Sequence, residues 1–499
     1  MKTCLIIGGG LGGLVSGALL AKEGYAVTVL EKNAIIGGGL QTFKRHGVSF
    51  PTGMHVFGGF GEGGQLHRLF TYLDIMDRLS LKAMDDDGYD VVTVLEDGKT
   101  YRLPKGKEQY INYLSGLFPE EKDHIRAYIE KLFALSEEEE LFYLRERQSQ
   151  VFMTVSDDAV LPFDELMDRY LTDPKLKGLL SYLNPLMGGV PGTTPAFMSA
   201  LLNVLHIGGT FQFVGDSLQM AELLKEVIET AGGRVLANEE VVSIEVEDRA
   251  VRQVVTKSGH VYRADSYISD VHPEVLLGLV DDKAFPVSFR NRLQSIPETR
   301  SCFKVFVKFN EGAFPYANHT NYSLTSYDAK FDVKTLDPGD WPHSVMYYTP
   351  VVEGQGCFAD TMVIIGEMPF EWVRPWEDTK TGRRGEAYEQ WKRQMTGQAL
   401  DFMERLYPGF RDHIEFVTAS SPLTIRDYYG NKDGSNYGFL RDSHNIMLSQ
   451  LSVFTKVKNL FLTGQNVNIH GMCGVALTAI QTAEALVGQN TIVRKINPT

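Results

Sequence analysis

Near the start of the chain, Gly8, Gly10, Gly13 and Glu31 have the types and spacing to hold a nucleotide. The glycines fit the pattern GxGxxG, and Glu31 follows Gly13 by eighteen residues. Gly8 permits a tight turn, Gly10 lets the backbone approach a diphosphate, and Gly13 lets a helix pack closely on a strand. The start of that helix offers free N–H groups and partial positive charge to the phosphates. The Glu31 carboxylate can accept hydrogen bonds from both ribose hydroxyls, and it would repel a 2′-phosphate, which disfavours NADP at this site. Such chemistry needs a strand, a turn, a helix and a second strand in that order. The short apolar run Thr3–Ile7 reads as the first strand, 14–23 as the helix and 25–30 as the second strand. Lys2, the apolar run behind it and Ala21 also imitate a secretory signal. The ordered elements, closed by an acid, favour the nucleotide loop.

Gly59, Gly61 and Gly64 match the same pattern, but no clear buried strand precedes them and no strand ending in an acid follows. They read as a turn before a helix over 65–76. A further cluster, Gly37, Gly38 and Gly39, follows the ribose acid. It fits a backbone that must pass close to a longer cofactor. Near the other end of the chain, 460–462 reads as a strand, Thr463 and Gly464 as its turn, and 475–487 as a helix started by Gly471 and Gly474. This second polar turn and helix start is again favourable to anions. Two such places suit a cofactor with a dinucleotide at one end and a ring system at the other. His55 and His470 stand beside these turns as candidate catalytic donors, and Tyr437 is a candidate substrate contact. Trp372 and Trp376 with Tyr347 and Tyr348 could form an aromatic cage, though ordinary packing explains them as well. No residue set reads as a metal site or as a catalytic triad.

The bulk properties are ordinary for a soluble protein. The 499 residues are 43% hydrophobic and 22% charged, enough for a large core. The net charge of −14 argues against nucleic acid, or a broadly anionic membrane surface, as the main partner. Cys4, Cys302, Cys357 and Cys473 form no CxxC, so a reducing, cytoplasmic setting fits. The longest uncharged run, 459–483, holds too many Asn, Gln and Gly residues to be a membrane span. The acidic run 136–141 reads as a solvated helix face.

The two end segments resemble those of the FAD-dependent phytoene desaturase, carotenoid isomerase and retinol saturase group, a branch of the amine-oxidase-like flavoproteins. The residues that carry this are FxTGxH over 50–55 followed by Gly58, and LTGQ over 462–465. The segments 211–235, 261–277 and 421–439 resemble the group's interior landmarks, so the likeness spans the chain. It implies an α/β fold: a discontinuous Rossmann-like FAD-binding domain (1–75, 215–285 and 415–499) with an inserted α+β substrate domain (76–214 and 286–414). The first insert is mainly helical by periodicity. The second carries alternating strands such as 302–309.

By position, the resemblance implies that Gly8, Gly10, Gly12, Gly13 and Glu31 bind the ADP half of FAD. Gly37, Gly38 and Thr42 would line its diphosphate and ribityl region. Val242 would contact the adenine through its backbone. Gln465, Asn466, Gly474 and Val475 would hold the ribityl and pyrimidine side. Pro51 and Asn466 stand where the group usually has Asp.

The implied activity is saturation, desaturation or cis–trans isomerisation of a long apolar polyene by hydride transfer at flavin N5. NAD(P)H is a transient donor for reduction, and quinone or oxygen an acceptor for oxidation. An acyl chain is a further substrate class. The resemblance leaves the oligomeric state open, and an apolar rim touching a membrane is expected for release of such a product. Amine oxidation is an alternative, though Glu is common there in place of Gln465. Prenyl binding without FAD, as in Rab GDP-dissociation inhibitors, is another, and the intact N-terminal fingerprint opposes it.

Overall fold

The computed structural model describes residues 1–53, 55–148, 156–328 and 337–497. Its N-terminal strand, Thr3–Ile7, is the middle of a five-stranded parallel sheet. The spatial order is Arg234–Leu236, Ala26–Leu30, Thr3–Ile7, Ser266–Ser269 and Leu460–Leu462. Helices cover one face of this sheet, and on the other Leu5, Ile7 and Leu30 pack with Ile244, Val251 and Val254 of a small antiparallel sheet (Val241–Glu247, Ala250–Thr256 and Val261–Tyr262), so both faces are buried and TCLII and AVTVL read as apolar runs. The helix Leu11–Lys22 is buried along its length up to its last residue and packs against Leu218–Thr230 and Gly471–Val487. The last of these follows the edge strand Leu460–Leu462, so helices from both ends of the chain pack together on one face of the sheet.

Both flanking helices begin earlier than their glycines led us to expect: at Leu11 rather than 14, and at Gly471 rather than 475. Glycine lowers helix propensity by about 1 kcal/mol. Close packing decides against that preference here, because a Cβ on Gly13 would lie 2.2 Å from the Gly8 carbonyl oxygen. Gly8 itself has φ +104°, a conformation that side chains resist.

The second large sheet forms a platform. Its order is Ile414–Ser420, Ser301–Phe309, Thr361–Met368, Ser344–Tyr348, Thr320–Leu324, Asp90–Val94 and Lys99–Leu103. Every pairing is antiparallel except that of Thr320–Leu324 with Asp90–Val94. Two features differ from the sequence reading. The hairpin Asp90–Leu103 comes from the first insert, otherwise mostly helical, and completes the platform begun by the second. The strand Ile414–Ser420 straddles the expected boundary at 415 yet pairs with Ser301–Phe309. Hydrogen bonding between distant strands fixes both assignments, and no local periodicity reports it. One register row crosses the platform: Lys304, Ile365, Met346, Tyr322 and Val92. Cross-strand partners share a face, so these side chains point to one side. Above that side runs the helix Ala196–Ile207. Among the described residues no helix is long and apolar enough to cross a membrane.

Candidate active site

A cavity of about 540 Å³ begins at the glycine turn and continues between the platform and the helix Ala196–Ile207. Its nucleotide end is built from Gly8, Gly10, Gly12, Glu31 and Gly38. The first N–H groups of the helix Leu11–Lys22 have no partner within the helix; that of Gly13 is taken by Asp270, and those of Leu11 and Gly12 are left for this end. Glu31, 6% exposed, is fixed by two backbone donors: Gly9 N–H donates to Oε2 and Asn33 N–H to Oε1, each at 2.8 Å. Gly37 stands just behind the wall, where its N–H donates to the Gly9 carbonyl at 2.7 Å. Gly13 lies beneath the turn, against Gly8.

One expected contact falls elsewhere. The Thr42 hydroxyl donates to Asp216 Oδ2 at 2.9 Å and does not line the cavity. The wall beside the adenine end is made by Glu239, Glu240 and Val241; Val242, one residue on, turns a 45% exposed side chain to solvent. Successive strand residues face opposite ways, so Val242 offers this end only its backbone, the part expected to meet the adenine.

The other end of the nucleotide groove is formed by Gln465, Asn466, Gly474 and Val475 at the start of the helix Gly471–Val487. Asn466 Oδ1 accepts from Phe439 N–H at 2.8 Å, so this side chain ties the turn to the neighbouring segment. Arg441 holds the same turn from beneath, donating from Nη2 to the carbonyls of Asn468 at 2.7 Å and Asn466 at 3.1 Å. Two helix N-termini and two glycine-containing turns thus converge on one cavity. The residues present fit an FAD, with its diphosphate at the first helix and its ring system toward the second.

His55, His470 and Tyr437 all line the cavity beyond these turns. His470 Nε2–H donates to the Leu186 carbonyl at 3.1 Å, and the imidazole lies 4.5 Å from the Tyr437 ring. Burial lowers its pKa to about 4, opposed by the Leu186 hydrogen bond and assisted by the charge of Arg441. Between that value and the unfolded value near 6.5 the unfolded chain binds more protons, so this group makes the fold more stable as pH rises through the window. His55 is pushed well below the usual imidazole range by burial, with the charge of Lys304 adding. Its Nδ1 lies 2.7 Å from Tyr348 Oη and its Nε2 3.5 Å from Lys304 Nζ. Both rings are therefore neutral near pH 7 and serve as hydrogen-bonding groups rather than as charge carriers.

Two wall residues escaped the sequence reading. Lys304 Nζ donates to the Thr52 carbonyl at 2.6 Å, from a strand otherwise almost wholly buried. A lysine inside so apolar a run was the available signal, since lysine is rarely buried without a partner. Asp270 ends the strand beside Thr3–Ile7 and lies under the glycine turn, close to Gly8, Gly10 and Gly12. An acid at the carboxyl end of a buried parallel strand, next to a phosphate loop, was its signal.

Residues 11–487 match the family of flavin containing amine oxidoreductases. The chain belongs to this family and is an FAD-dependent oxidoreductase. Human all-trans-retinol 13,14-reductase is 26% identical over 531 aligned positions, covering 97% of this chain and 85% of the relative. The 4,4'-diapolycopene oxygenase of a Methylomonas species is 24% identical and covers 94% of each chain. Among solved structures, an oxidoreductase from Methanosarcina mazei superposes with a TM-score of 0.68 at 16% identity, over 97% of this chain and all of the other.

Proposed function

We propose that this enzyme uses FAD to act on the C=C or C–C bonds of a long apolar polyene, by saturation, desaturation or cis–trans isomerisation. One observation carries the reading: the cavity leaves the nucleotide turns along an apolar path. Met346 and Ile365 form its floor, and Met198, Leu201, Leu202 and Leu205 its roof. Bound FAD supplies hydride acceptance and donation at N5. The chain's own part is to hold the substrate carbon within about 3–3.5 Å of the reacting atom and to exclude water. The neutral His55 and His470 and the Tyr437 hydroxyl provide hydrogen bonds there. Two of the similar proteins are named for retinol and diapolycopene, which supports the substrate class.

Amine oxidation finds less support. Trp376 meets Tyr388 edge-on and Trp391 at a tilt, each at 5.6 Å, and Tyr347 meets Tyr407 edge-on at 6.1 Å. Neither Trp372, Trp376 nor Tyr347 lines the cavity, so these residues form no cage there.

Net reduction requires a donor, and NAD(P)H binding transiently is the one we assign. Oxidation instead passes the hydride's electrons to a quinone or oxygen. The test is anaerobic. A polyene should bleach the oxidised flavin, or reoxidise the reduced flavin, or emerge with altered cis–trans geometry, while a primary amine leaves the spectrum unchanged. NADPH or NADH should bleach it if reduction is the direction. Bleaching by amine alone would replace this reading.

An apolar product leaves most readily into lipid. Val287 and Met447 are exposed on adjoining helices, where Arg292 Nη2 donates to the Met447 carbonyl at 2.6 Å. Flotation with neutral phosphatidylcholine vesicles should carry part of the protein upward at physiological salt. Complete retention at the bottom of the gradient would count against membrane contact.

A further inference from the structure

The cavity's apolar wall is interrupted by a polar group that the chemistry described so far does not use. His206, in the last turn of the helix Ala196–Ile207, lines the cavity while being only 3% exposed. Behind it stands Asp90, fully buried, with Oδ2 2.9 Å from His206 Nδ1. The Tyr182 hydroxyl donates to the same oxygen at 3.0 Å, and its ring is held edge-on by Tyr322 at 4.9 Å. Because Asp90 accepts at Nδ1, that nitrogen carries the proton, and the other ring nitrogen is left to face outward. Among the described residues His206 Nε2 makes no hydrogen bond, and the cavity that His206 lines is also walled by the apolar Phe57, Leu202 and Leu205. A buried polar atom in apolar surroundings costs free energy unless something bonds to it.

Its position is also informative. Asp90 belongs to the platform strand four places from the one carrying Lys304. At about 4.8 Å per strand, the two are roughly 19 Å apart across the sheet. Lys304 marks the flavin end through its approach to His55. The polar group therefore stands well along the cavity from the reacting centre, where one end of a long substrate would rest.

We infer that His206, oriented by Asp90 and Tyr182, is the subsite for a terminal hydroxyl on an otherwise apolar chain. This rests on the polyene reading and adds the end group to it. A hydroxyl can donate to Nε2 when the ring is neutral and accept from it when the ring is protonated. A carboxylate fits less well. Among the described residues no lysine or arginine bonds to the pair, so a carboxylate placed beside the buried Asp90 would go uncompensated. A plain hydrocarbon would leave Nε2 unbonded. His206 is thus a specificity-determining residue that sorts chains by what they carry at one end.

Equilibrium binding to the FAD-loaded protein tests this without turnover. Three probes with the same polyene chain, ending in a hydroxyl, a methyl or a carboxyl group, are titrated by the change in polyene fluorescence. Wild type should bind the alcohol at least about tenfold more tightly than the hydrocarbon. His206→Asn can still donate to Asp90 but has nothing at the Nε2 position, so it should lose that preference and keep its hydrocarbon affinity. His206→Gln places an amide near the Nε2 position and should recover part of the preference, which a merely destabilised protein would not do. Equal binding of alcohol and hydrocarbon by wild type would overturn the inference and leave the polyene reading standing. Tighter binding of the acid than of the alcohol would overturn the assignment to a hydroxyl. Failure of all three probes to bind would overturn the polyene reading and this inference with it.

Discussion

Gly13→Ala is expected to give a protein that purifies without flavin and is less stable than wild type by about 3 kcal/mol or more. The sign runs against helix propensity, by which an alanine inside a helix gains about 1 kcal/mol over glycine. Two effects compete, and geometry decides between them. A Cβ at this position would lie 2.2 Å from the Gly8 carbonyl oxygen, 3.2 Å from Asp270 Oδ2 and 3.2 Å from Ile6 Cγ2. The first contact is with backbone, in a residue whose φ of +104° leaves it little room to move. Relief requires the helix Leu11–Lys22 to lift off the strand Thr3–Ile7, which displaces the N–H groups aimed at the diphosphate and opens the core beneath Leu14 and Val15. Gly12→Ala makes the informative contrast. Its Cβ would lie 2.4 Å from Asp270 Oδ1, a side-chain atom that can swing, and 3.0 Å from Gly464 Cα. This variant should lose less stability than Gly13→Ala, whose shortest contact is with backbone, while binding FAD at least about a hundredfold more weakly, because the methyl group presses on Asp270 and Gly464 and forces apart the two turns that form the cradle. Urea unfolding and flavin titration of both proteins read the two effects separately. A Gly13→Ala protein that is yellow and as stable as wild type would show that the close packing of turn and helix is not needed.

The nucleotide half of this site was legible because its signals are local. The strand Thr3–Ile7, its turn and the acid at Glu31 occupy one short stretch, and each residue type answers a steric or electrostatic need of the phosphates. The second turn, after Leu460–Leu462, was legible for the same reason. The spacing of Gly59, Gly61 and Gly64 did not mislead, because only the two-residue strand Phe57–Gly58 precedes them. The substrate half was much less legible. Lys304 meets His55 across 249 residues of sequence, and Asp90 meets His206 across 116. A loop folded onto the platform brings the first pair together and the helix Ala196–Ile207 packed over it the second, and a single sequence does not display such packing. Thr42 shows the same limit on a smaller scale: its hydroxyl is taken by Asp216, which periodicity could not have placed beside it.

The affinity for FAD is expected to fall as pH rises above about 7, and Asp270 is the reason. Its carboxyl group, wholly buried beneath the glycine turn, is pushed up to about 7, first by burial and then by the neighbouring charge of Glu31. The N–H groups of Gly13 and Gly10 oppose the shift without cancelling it. A diphosphate seated on the same turn brings further negative charge, so bound FAD favours the protonated acid. Above the pKa of the FAD-free protein, binding then requires uptake of a proton, and affinity drops about tenfold for each pH unit. Asp270→Asn keeps the shape and a carbonyl oxygen for Gly13 N–H, and offers an amide donor in place of the acid proton. It should bind FAD with little dependence on pH, and about a hundredfold more tightly than wild type two units above the wild-type midpoint. Stability gives an independent readout. The folded pKa lies above the unfolded value of 3.8, so the folded chain holds the extra proton between them. Stability is therefore lost as pH rises through that interval, by up to about 4 kcal/mol. The asparagine variant should not show that loss. Flavin fluorescence titrations and urea unfolding from pH 5 to 9 would decide the matter, and a wild-type FAD affinity that stays level across pH 7 would remove Asp270 from the account of cofactor binding.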